Sequence, residues 1–207
     1  MAEVSEIYSE FNEIGPNDSM GIIRLYEKNQ ILLDNKSIFY DKDDFTNYAL
    51  LVGQYVISLE TIGKYSKAIK YADRLLQLID SKSEEFEINQ QDFTTYWSIL
   101  TTKGRSFYHL KDYRNSIPIF ERLVAWDADN DYLKDWLDSS RSRKRNAINK
   151  YLYSISVILY FTEVFFGDKI GNQKIKLFLI VSALILFIIA LVNEHLVDRI
   201  FKMIKKV

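Results

Sequence analysis

The chain has 207 residues, no cysteine and a formal net charge of −1. The absence of cysteine excludes disulfides, thiolate metal sites and a cysteine nucleophile. The net charge hides a split: residues 1–140 carry 15 Lys and Arg against 24 Asp and Glu (−9), whereas residues 141–207 carry 12 against 4 (+8). An acidic first part is repelled by phosphate backbones, so nucleic acid is not an expected partner.

The composition favours an all-α fold. Only 2 Pro and 7 Gly are available for tight turns, and 14 % of the residues are aromatic, which argues against disorder. The first residues are acidic and amphipathic, without the basic start and apolar centre of a secretory signal. Export through a cleaved signal is therefore not expected.

Two short helices are predicted at the start of the chain. Apolar residues at spacings of three and four predict a helix over 4–14, which Gly15-Pro16 ends. A second helix is predicted from about Met20 to Leu33, because Asn17, Asp18 and Ser19 offer N-caps before it. A loop is predicted at 34–36.

Two helical hairpins follow, separated by a polar segment at 80–90. Their apolar stripes predict helices over 45–59, 65–79, 93–110 and 113–124. Turns are predicted at Gly63-Lys64 and Lys111-Asp112. A last helix begins after capping residues at 127–131, and we expect it to continue through the basic residues that follow.

The helix pairs carry small and aromatic residues at corresponding places, namely Gly63, Tyr65 and Ala68 in the first pair and Gly104, Phe107, Tyr113, Ser116 and Phe120 in the second. In these residues the chain resembles tetratricopeptide repeats, which are 34-residue helix–turn–helix units. The resemblance covers about 45–130 of a domain over 1–140. Departures are Val56 for the first-helix Gly, Lys111 for the turn Gly, and the missing Pro after each pair. Unrelated antiparallel helices are the alternative.

The resemblance implies a binding role. Members of the family hold peptides or partner helices in a groove lined by the first helix of each repeat. Carried over by position, the groove residues are Gln54, Ile57, Thr101, Arg105, Tyr108 and His109. Gly53 and Ile57 stand where members that grip a C-terminal carboxylate have Lys and Asn, so docking of chaperones is not expected.

Two apolar runs of 16 residues each, 151–166 and 177–192, follow the acidic part of the chain. With their flanking residues, each reaches the roughly 20 residues that a helix needs to cross a bilayer. The segment 141–192 is therefore predicted to be a basic linker followed by a transmembrane helical hairpin, with helices over about 148–167 and 175–193. A pair of buried core helices is the alternative.

Basic residues flank the predicted hairpin and are candidates for contact with anionic lipid headgroups. They are Arg141, Arg143, Lys144, Arg145, Arg199, Lys202, Lys205 and Lys206. With Lys150, nine basic residues lie outside the hairpin against three in its loop, which predicts cytoplasmic termini. The tail 194–207 alternates apolar and cationic residues, as in a helix that lies among headgroups, or it extends the second membrane helix.

Glu163 is the one ionisable residue within the two apolar runs. Ionisable residues inside a membrane are costly and often functional. Lys176 is predicted to lie at a similar depth on the partner helix, so a pair between them would explain Glu163. The alternatives are reach to the interface, a polar contact between subunits, or a gate.

No catalytic or metal-binding pattern is present in the sequence. It has no Gly-rich phosphate loop, no His-Glu-x-x-His and no Gly-x-Ser-x-Gly. The two histidines, His109 and His195, are too few and too far apart in the chain for a metal site or a triad. We therefore expect no enzyme activity, no catalytic residue, no metal and no cofactor.

The expected function is that of a membrane-anchored, tetratricopeptide-like adaptor or scaffold that recruits or assembles a cytoplasmic partner. The alternative is a two-helix membrane effector, as in bacterial defence, that self-assembles into a pore or disrupts the membrane. Expected partners are the bilayer and either another protein or further copies of the chain, in a homo-oligomer or a membrane complex. The abundance of Ile, Lys, Asn and Tyr suggests an AT-rich bacterial genome, and the expected location is therefore the bacterial inner membrane.

Overall fold

The computed structural model describes residues 2–15, 18–170 and 172–204, with side chains for 4–15, 18–167, 169 and 172–194. Every regular element in these ranges is an α-helix, so the predicted all-α class is confirmed. The described helices are α1 (Ala2–Glu13), α2 (Ser19–Lys28), α3 (Gln30–Asn35), α4 (Lys42–Thr61), α5 (Tyr65–Lys82), α6 (Thr94–His109), α7 (Tyr113–Trp126), α8 (Asp131–Ile170) and α9 (Gln173–Ile204).

The chain divides into two compact units, Met1–Ser140 and Arg141–Val207. Helix α8 belongs to both, because its 40 residues run without a break from Asp131 to Ile170. The first unit contains α1 to α7 and the first turns of α8. The second unit contains the rest of α8 and α9.

In the first unit, consecutive helices pack against each other from α4 to α7, and α4 also packs against α2 and α6. The hairpins predicted around Gly63-Lys64 and Lys111-Asp112 are therefore formed by α4–α5 and α6–α7. Large aromatic side chains fill the space between α2, α4 and α5, where Tyr26 stacks on Tyr55 with ring centroids 3.9 Å apart and Tyr71 packs edge-on against both. Burial of one such side chain contributes about 1.5–3 kcal/mol to folding.

Two glycines bring helices of the first unit close together. A Cβ atom on Gly104 of α6 would lie 3.0 Å from Cζ of Phe120 in α7. A Cβ atom on Gly53 of α4 would lie 3.1 Å from Cγ2 of Thr95 in α6. Gly104 therefore permits the close approach of α6 and α7, and the contact at Gly53 joins the two hairpins.

The predicted single helix from Met20 to Leu33 is wrong, because the chain breaks it at Asn29 into α2 and α3. The Asn29 side-chain amide donates a 3.0 Å hydrogen bond to the carbonyl of Leu25. Asn side chains compete in this way with the backbone bonds of a helix. The loop predicted at 34–36 begins later, since α3 runs to Asn35.

Asp34 at the end of α3 joins three helices through its carboxylate. Tyr26 donates a 2.7 Å hydrogen bond to it, Gln30 a 3.0 Å bond and Arg74 a 2.6 Å bond. Burial by itself would raise the pKa of Asp34, but these donors and the charge of Arg74 outweigh it and hold the pKa below its usual value. The charged carboxylate therefore fixes α3 between α2 and α5.

Lys111 in the α6–α7 turn has a φ of +62°, in the left-handed region that favours glycine. Its side chain is exposed. We expect Lys111→Gly to raise the unfolding free energy by about 0.5–1 kcal/mol, because relief of strain exceeds the added entropy of the unfolded chain. Thermal unfolding of the two proteins measures the difference.

The matched control is Gly63 in the α4–α5 turn, which has a φ of +77°. Gly63→Ala should lower the melting temperature for the same reason. A lower melting temperature for Lys111→Gly would contradict the strain argument.

Candidate functional site

The second unit is an antiparallel helical hairpin. The hydroxyl of Ser156 in α8 donates a 2.8 Å hydrogen bond to the carbonyl of Ala183 in α9. Nearer the start of the unit, the Asn193 side-chain amide donates a 2.7 Å bond to Oδ1 of Asn149. As residue numbers rise along α8 they fall along α9, so the two helices run in opposite directions with polar groups between them.

The burial of this hairpin is the reverse of a water-soluble core. Asn149 and Ser156 are buried, with 3 % and 5 % of their surface exposed. Many large apolar or aromatic side chains are exposed instead. They are Ile148, Tyr151, Ile155, Val157, Ile158, Tyr160, Phe161, Val164, Phe165, Phe166, Ile175, Leu177, Phe178, Ile180, Val181, Leu184, Ile185, Phe187, Ile188, Ile189 and Val192.

One helix in the described part of the chain is long and apolar enough to cross a membrane, judged by length and composition. It is Gln173–Glu194, with a mean hydropathy of 3.0 and 11 % of its most apolar stretch buried. The run predicted over 148–167 does not meet the same standard. Its hydropathy is lowered by the polar and tyrosine residues Tyr151, Tyr153, Ser154, Ser156, Tyr160, Thr162 and Glu163.

Glu163 and Lys176 line the same cavity of about 450 Å³ at the loop end of the hairpin, together with Gln173 and Lys174. Both side chains are half-buried. Gly167 leaves room for the carboxylate, because a Cβ atom there would lie 3.2 Å from Oε1 of Glu163. The structure thus brings together the two residues that the sequence pairs.

The candidate headgroup residues at the start of the second unit lie on α8. Arg141, Arg143 and Lys144 are exposed, and Arg145 is half-buried. The remaining candidates lie after Glu194, and side chains are described only up to that residue. Arg199 and Lys202 lie within α9, whereas Lys205 and Lys206 lie outside the described residues, and the side chain of His195 is likewise undescribed.

The six groove residues lie on two helices that contact each other, Gln54 and Ile57 on α4 and the other four, Thr101, Arg105, Tyr108 and His109, on α6. His109 is exposed and the other five are half-buried. Arg105 is not free to grip a ligand carboxylate, because its guanidinium forms two hydrogen bonds with the buried carboxylate of Glu60.

The ion pair of Arg105 and Glu60 stands within aromatic side chains, of which sequence reasoning assigned Tyr108 and His109 to the site but not Tyr65, Tyr132 and Trp136. Tyr65 stacks on His109 at 4.7 Å between centroids, and Trp136 packs edge-on against Tyr108 at 5.1 Å. We call the set Glu60, Tyr65, Arg105, Tyr108, His109, Tyr132 and Trp136 the aromatic cluster. Trp136 lies in the helix that the sequence predicts after 127–131, but no local spacing links it to Arg105.

Neighbours in the aromatic cluster stabilise the charged form of Arg105. Burial by itself would lower its pKa, but the hydrogen bonds to Glu60 and to the Tyr132 hydroxyl, the latter 3.1 Å long, raise the pKa above its usual value. The guanidinium also lies over the Trp136 ring, 5.9 Å from its centroid. The cluster therefore has a charged, internally paired centre and an aromatic outer surface.

A groove of about 1010 Å³ beside α1 was not predicted. Its lining includes the acidic residues Glu6 and Glu10 and the apolar residues Ile31 and Ile38. Ile31 and Ile38 expose 82 % and 76 % of their surface. Ile38 could have indicated this groove, because it is an apolar residue that belongs to the apolar face of no predicted helix.

Among the described residues, no group of three or more His, Cys, Asp or Glu side chains is arranged to hold a metal ion. Comparison with protein-family models, with curated proteins and with solved structures gives no match for this chain. The resemblance to tetratricopeptide repeats therefore remains a prediction from the sequence.

Removal of one partner from the Glu60–Arg105 pair should destabilise the first unit. Arg105→Leu leaves a buried carboxylate without its counter-ion, which costs about 3 kcal/mol. The double variant Glu60→Leu/Arg105→Leu should lose less than Arg105→Leu, since no charge is left unpaired. The unfolding free energies of both variants are measured by urea titration, with near-ultraviolet circular dichroism as the signal.

The control is Lys134→Ala, which removes a 3.1 Å ion pair with Asp131 whose side chains are 37 % and 90 % exposed. A surface pair of this kind contributes about 0–1 kcal/mol. Equal losses for Arg105→Leu and Lys134→Ala would show that the Glu60 carboxylate does not depend on Arg105.

Proposed function

We propose that the chain is a membrane-anchored interaction module, in which the hairpin of α8 and α9 spans the bilayer and the first unit recruits a partner at the cytoplasmic face. The observation that carries this proposal is the reversed burial of the hairpin, with amide and hydroxyl groups inside and large apolar side chains outside. The tetratricopeptide-like pairing of α4 to α7 supplies the interaction module.

The exposed surface of the hairpin calls for a non-aqueous environment. From Ile148 to Val192, 21 large apolar or aromatic side chains are exposed. A contiguous patch of this size on a soluble protein marks a membrane or protein interface. Lipid tails satisfy the whole circumference of the hairpin at once, whereas a single protein partner covers one face.

The lower hydropathy of 148–167 is compatible with a second membrane span. Three of its polar residues, Asn149, Ser156 and Glu163, lie on the side of α8 that faces α9 or the cavity at the loop end. In hydrocarbon, polar side chains are placed where another helix satisfies them. A 20-residue helix is about 30 Å long, which matches the hydrocarbon thickness.

The orientation follows from the distribution of basic residues. Nine Lys and Arg residues flank the hairpin against three in its loop. Basic residues are retained on the cytoplasmic side, so the first unit and the tail lie there and the loop near Asn172 lies outside. The exposed cations of α8, such as Arg141 and Lys144, then lie at the depth of anionic headgroups.

The aromatic cluster is the surface that we assign to partner recognition. Tyr, Trp and Arg are the residues most enriched at binding hot spots. The cluster contains all three on adjoining helices, and Tyr132 is 50 % exposed. Because Arg105 is already paired with Glu60, the partner is expected to contribute apolar or hydrogen-bonding groups rather than a free carboxylate.

The alternative function, a pore built by self-assembly, receives less support from the hairpin. A pore needs a polar lining, but the exposed faces of α8 and α9 within 155–192 consist mainly of Ile, Leu, Val and Phe. The polar groups at Ser156 and Asn149 are turned inward and hydrogen-bonded. A pore would require the hairpin to open and exchange these contacts.

The natural absence of cysteine makes the topology directly testable with single-cysteine variants. Ser81→Cys, Asn172→Cys and Ile185→Cys place a thiol in the first unit, in the loop and on the exposed face of α9. In spheroplasts, a membrane-impermeant maleimide should label position 172 alone. Position 81 should react only after permeabilisation, and position 185 only after denaturation.

The unmodified, cysteine-free chain is the control for background labelling. Labelling of positions 81 and 172 from the same side of the membrane would contradict the two-span hairpin. Recovery of the chain in the soluble fraction would contradict membrane anchoring altogether.

The recruitment part of the proposal has its own test. Photoreactive benzoylphenylalanine in place of Tyr132 should give a discrete adduct with a partner protein or with a second copy of the chain. The matched control replaces Tyr40, which is 65 % exposed but lies far along the chain, before α4. The same adducts from both positions, or none from Tyr132, would exclude the aromatic cluster as the recognition surface.

A further inference from the structure

The cavity at the loop end of the hairpin carries charges of both signs. It is lined by Glu163 of α8 and, on α9, by Gln173, Lys174, Lys176, Leu177 and Ile180. Its volume of about 450 Å³ lies within the range of roughly 300–1,000 Å³ that is typical of small-molecule sites. Four of the lining side chains are polar or charged and two are apolar, so the cavity suits an amphipathic ligand.

Glu163 has no partner among the described side chains. Its side chain is half-buried, and no hydrogen bond or ion pair joins it to another side chain in the described ranges. Glu163 and Lys176 therefore share the cavity without a direct ion pair. A carboxylate that is partly withdrawn from water is stabilised by a cation that donates hydrogen bonds to it. A ligand with an ammonium group would supply that cation.

The α9 side of the cavity is positively charged. Lys174 and Lys176 lie in the first turn of α9, where Lys174 is exposed and Lys176 is half-buried. The Asn172 side chain already accepts a 3.0 Å hydrogen bond from the backbone amide of Lys174, so the ammonium groups are the available donors. Lysine side chains bind phosphate as point charges. The α9 side therefore favours a phosphate, whereas the Glu163 side favours a cation.

The position of the cavity along the hairpin matches the headgroup layer of a bilayer. Glu163 is seven residues before the end of α8, which is about 10 Å along the axis, and Lys176 is three residues after the start of α9, which is about 5 Å. The polar layer on each side of the hydrocarbon is roughly 5–7 Å thick. Leu177 and Ile180 follow further from the loop and are 63 % and 41 % exposed.

We propose that this cavity binds a phosphoethanolamine group, which the bilayer presents as the headgroup of phosphatidylethanolamine. Lys174 and Lys176 donate hydrogen bonds to the phosphate, and Glu163 accepts them from the primary ammonium. Leu177 and Ile180 contact the start of the acyl chains. The proposal rests on the proposed membrane location, because the cavity meets a headgroup only if the hairpin lies in a bilayer.

Glu163 is the residue that selects among phospholipids. Its carboxylate can accept hydrogen bonds from the primary ammonium of phosphatidylethanolamine. The quaternary ammonium of phosphatidylcholine has no N–H group, and such cations are commonly held by aromatic rings, whereas none of the six residues around the cavity is aromatic. Phosphatidylglycerol brings a negative charge without a cation, so the carboxylate repels it. Phosphatidylethanolamine is therefore preferred over both.

Native mass spectrometry of the full chain in detergent, titrated with each phospholipid, measures this preference. Phosphatidylethanolamine should bind about fivefold more tightly than the other two, as expected from one partly exposed, charge-assisted contact. Glu163→Gln keeps the size of the side chain and removes its charge, so it should abolish the preference over phosphatidylcholine and raise the affinity for phosphatidylglycerol. Glu163→Asp keeps the charge and should retain the preference.

Two lysine variants separate this site from general attraction of lipid to a basic loop. Lys174 lines the cavity, whereas Lys169 is equally an exposed lysine but is not part of the lining. Lys174→Ala should weaken the binding of all three phospholipids about fivefold, because each carries a phosphate. Lys169→Ala removes the same charge and should leave the affinities unchanged. Equal losses in the two variants would overturn the proposal.

Glycerophosphoethanolamine, which has the same headgroup without acyl chains, identifies the source of the ligand. Weak competition with phosphatidylethanolamine would support the lipid, and competition at equal concentration would overturn the lipid source and assign the cavity to the free compound. Equal affinity of the natural chain for all three phospholipids, or a preference that survives Glu163→Gln, would overturn the site. Flotation with lipid vesicles reads the membrane location separately, so a chain that floats without lipid preference contradicts this site alone.

Discussion

A polar group in the hydrocarbon core of a bilayer has no water to bond with, so its partner must come from the protein. This constraint organises the second unit as proposed here. Ser156 bonds across the hairpin to a carbonyl of α9, Asn149 bonds to Asn193, and Glu163 shares a polar cavity with Lys176. The outer surface is then free to carry large apolar side chains, which is what the proposed membrane anchor requires.

The first unit meets the opposite constraint, because it must hide apolar surface from water while keeping its polar groups bonded. It does so with tyrosines, whose rings fill the core and whose hydroxyls reach a partner. Tyr26 donates to Asp34, and Tyr48 donates a 3.1 Å hydrogen bond to the carbonyl of Leu33. The ion pair of Glu60 and Arg105 extends the same rule to charges, because two guanidinium hydrogen bonds are directed at the buried carboxylate and a third at the Tyr132 hydroxyl.

Local patterns in the sequence predicted the helical class and most helices, because amphipathic spacing and turn residues act over a few positions. The stripe from Phe45 to Leu59 lies within α4, and Gly63 marks the following turn, as expected. The break at Asn29 was missed because it depends on one side chain bonding to its own helix. Lys111 was recognised as a departure from glycine, but only the backbone shows that it keeps the left-handed turn.

The candidate sites were harder to predict, because they depend on residues far apart in the chain. Glu60 and Arg105 are 45 positions apart, and a contact over that distance leaves no trace in local spacing. The run over 148–167 was predicted to be a membrane span from its apolar residues. The sequence does not show which way its tyrosines and polar side chains face. The structure gives those directions for Asn149, Ser156 and Glu163, and they lie towards α9 or its cavity.

The positions of the three tryptophans have a practical consequence. Trp97, Trp126 and Trp136 lie in α6, α7 and the start of α8, all within the first unit. The hairpin has none, and its aromatic side chains are tyrosines and phenylalanines such as Tyr151 and Phe165. Intrinsic tryptophan emission therefore reports on the first unit alone, and the unfolding of the two units can be separated by optical means without attaching a probe.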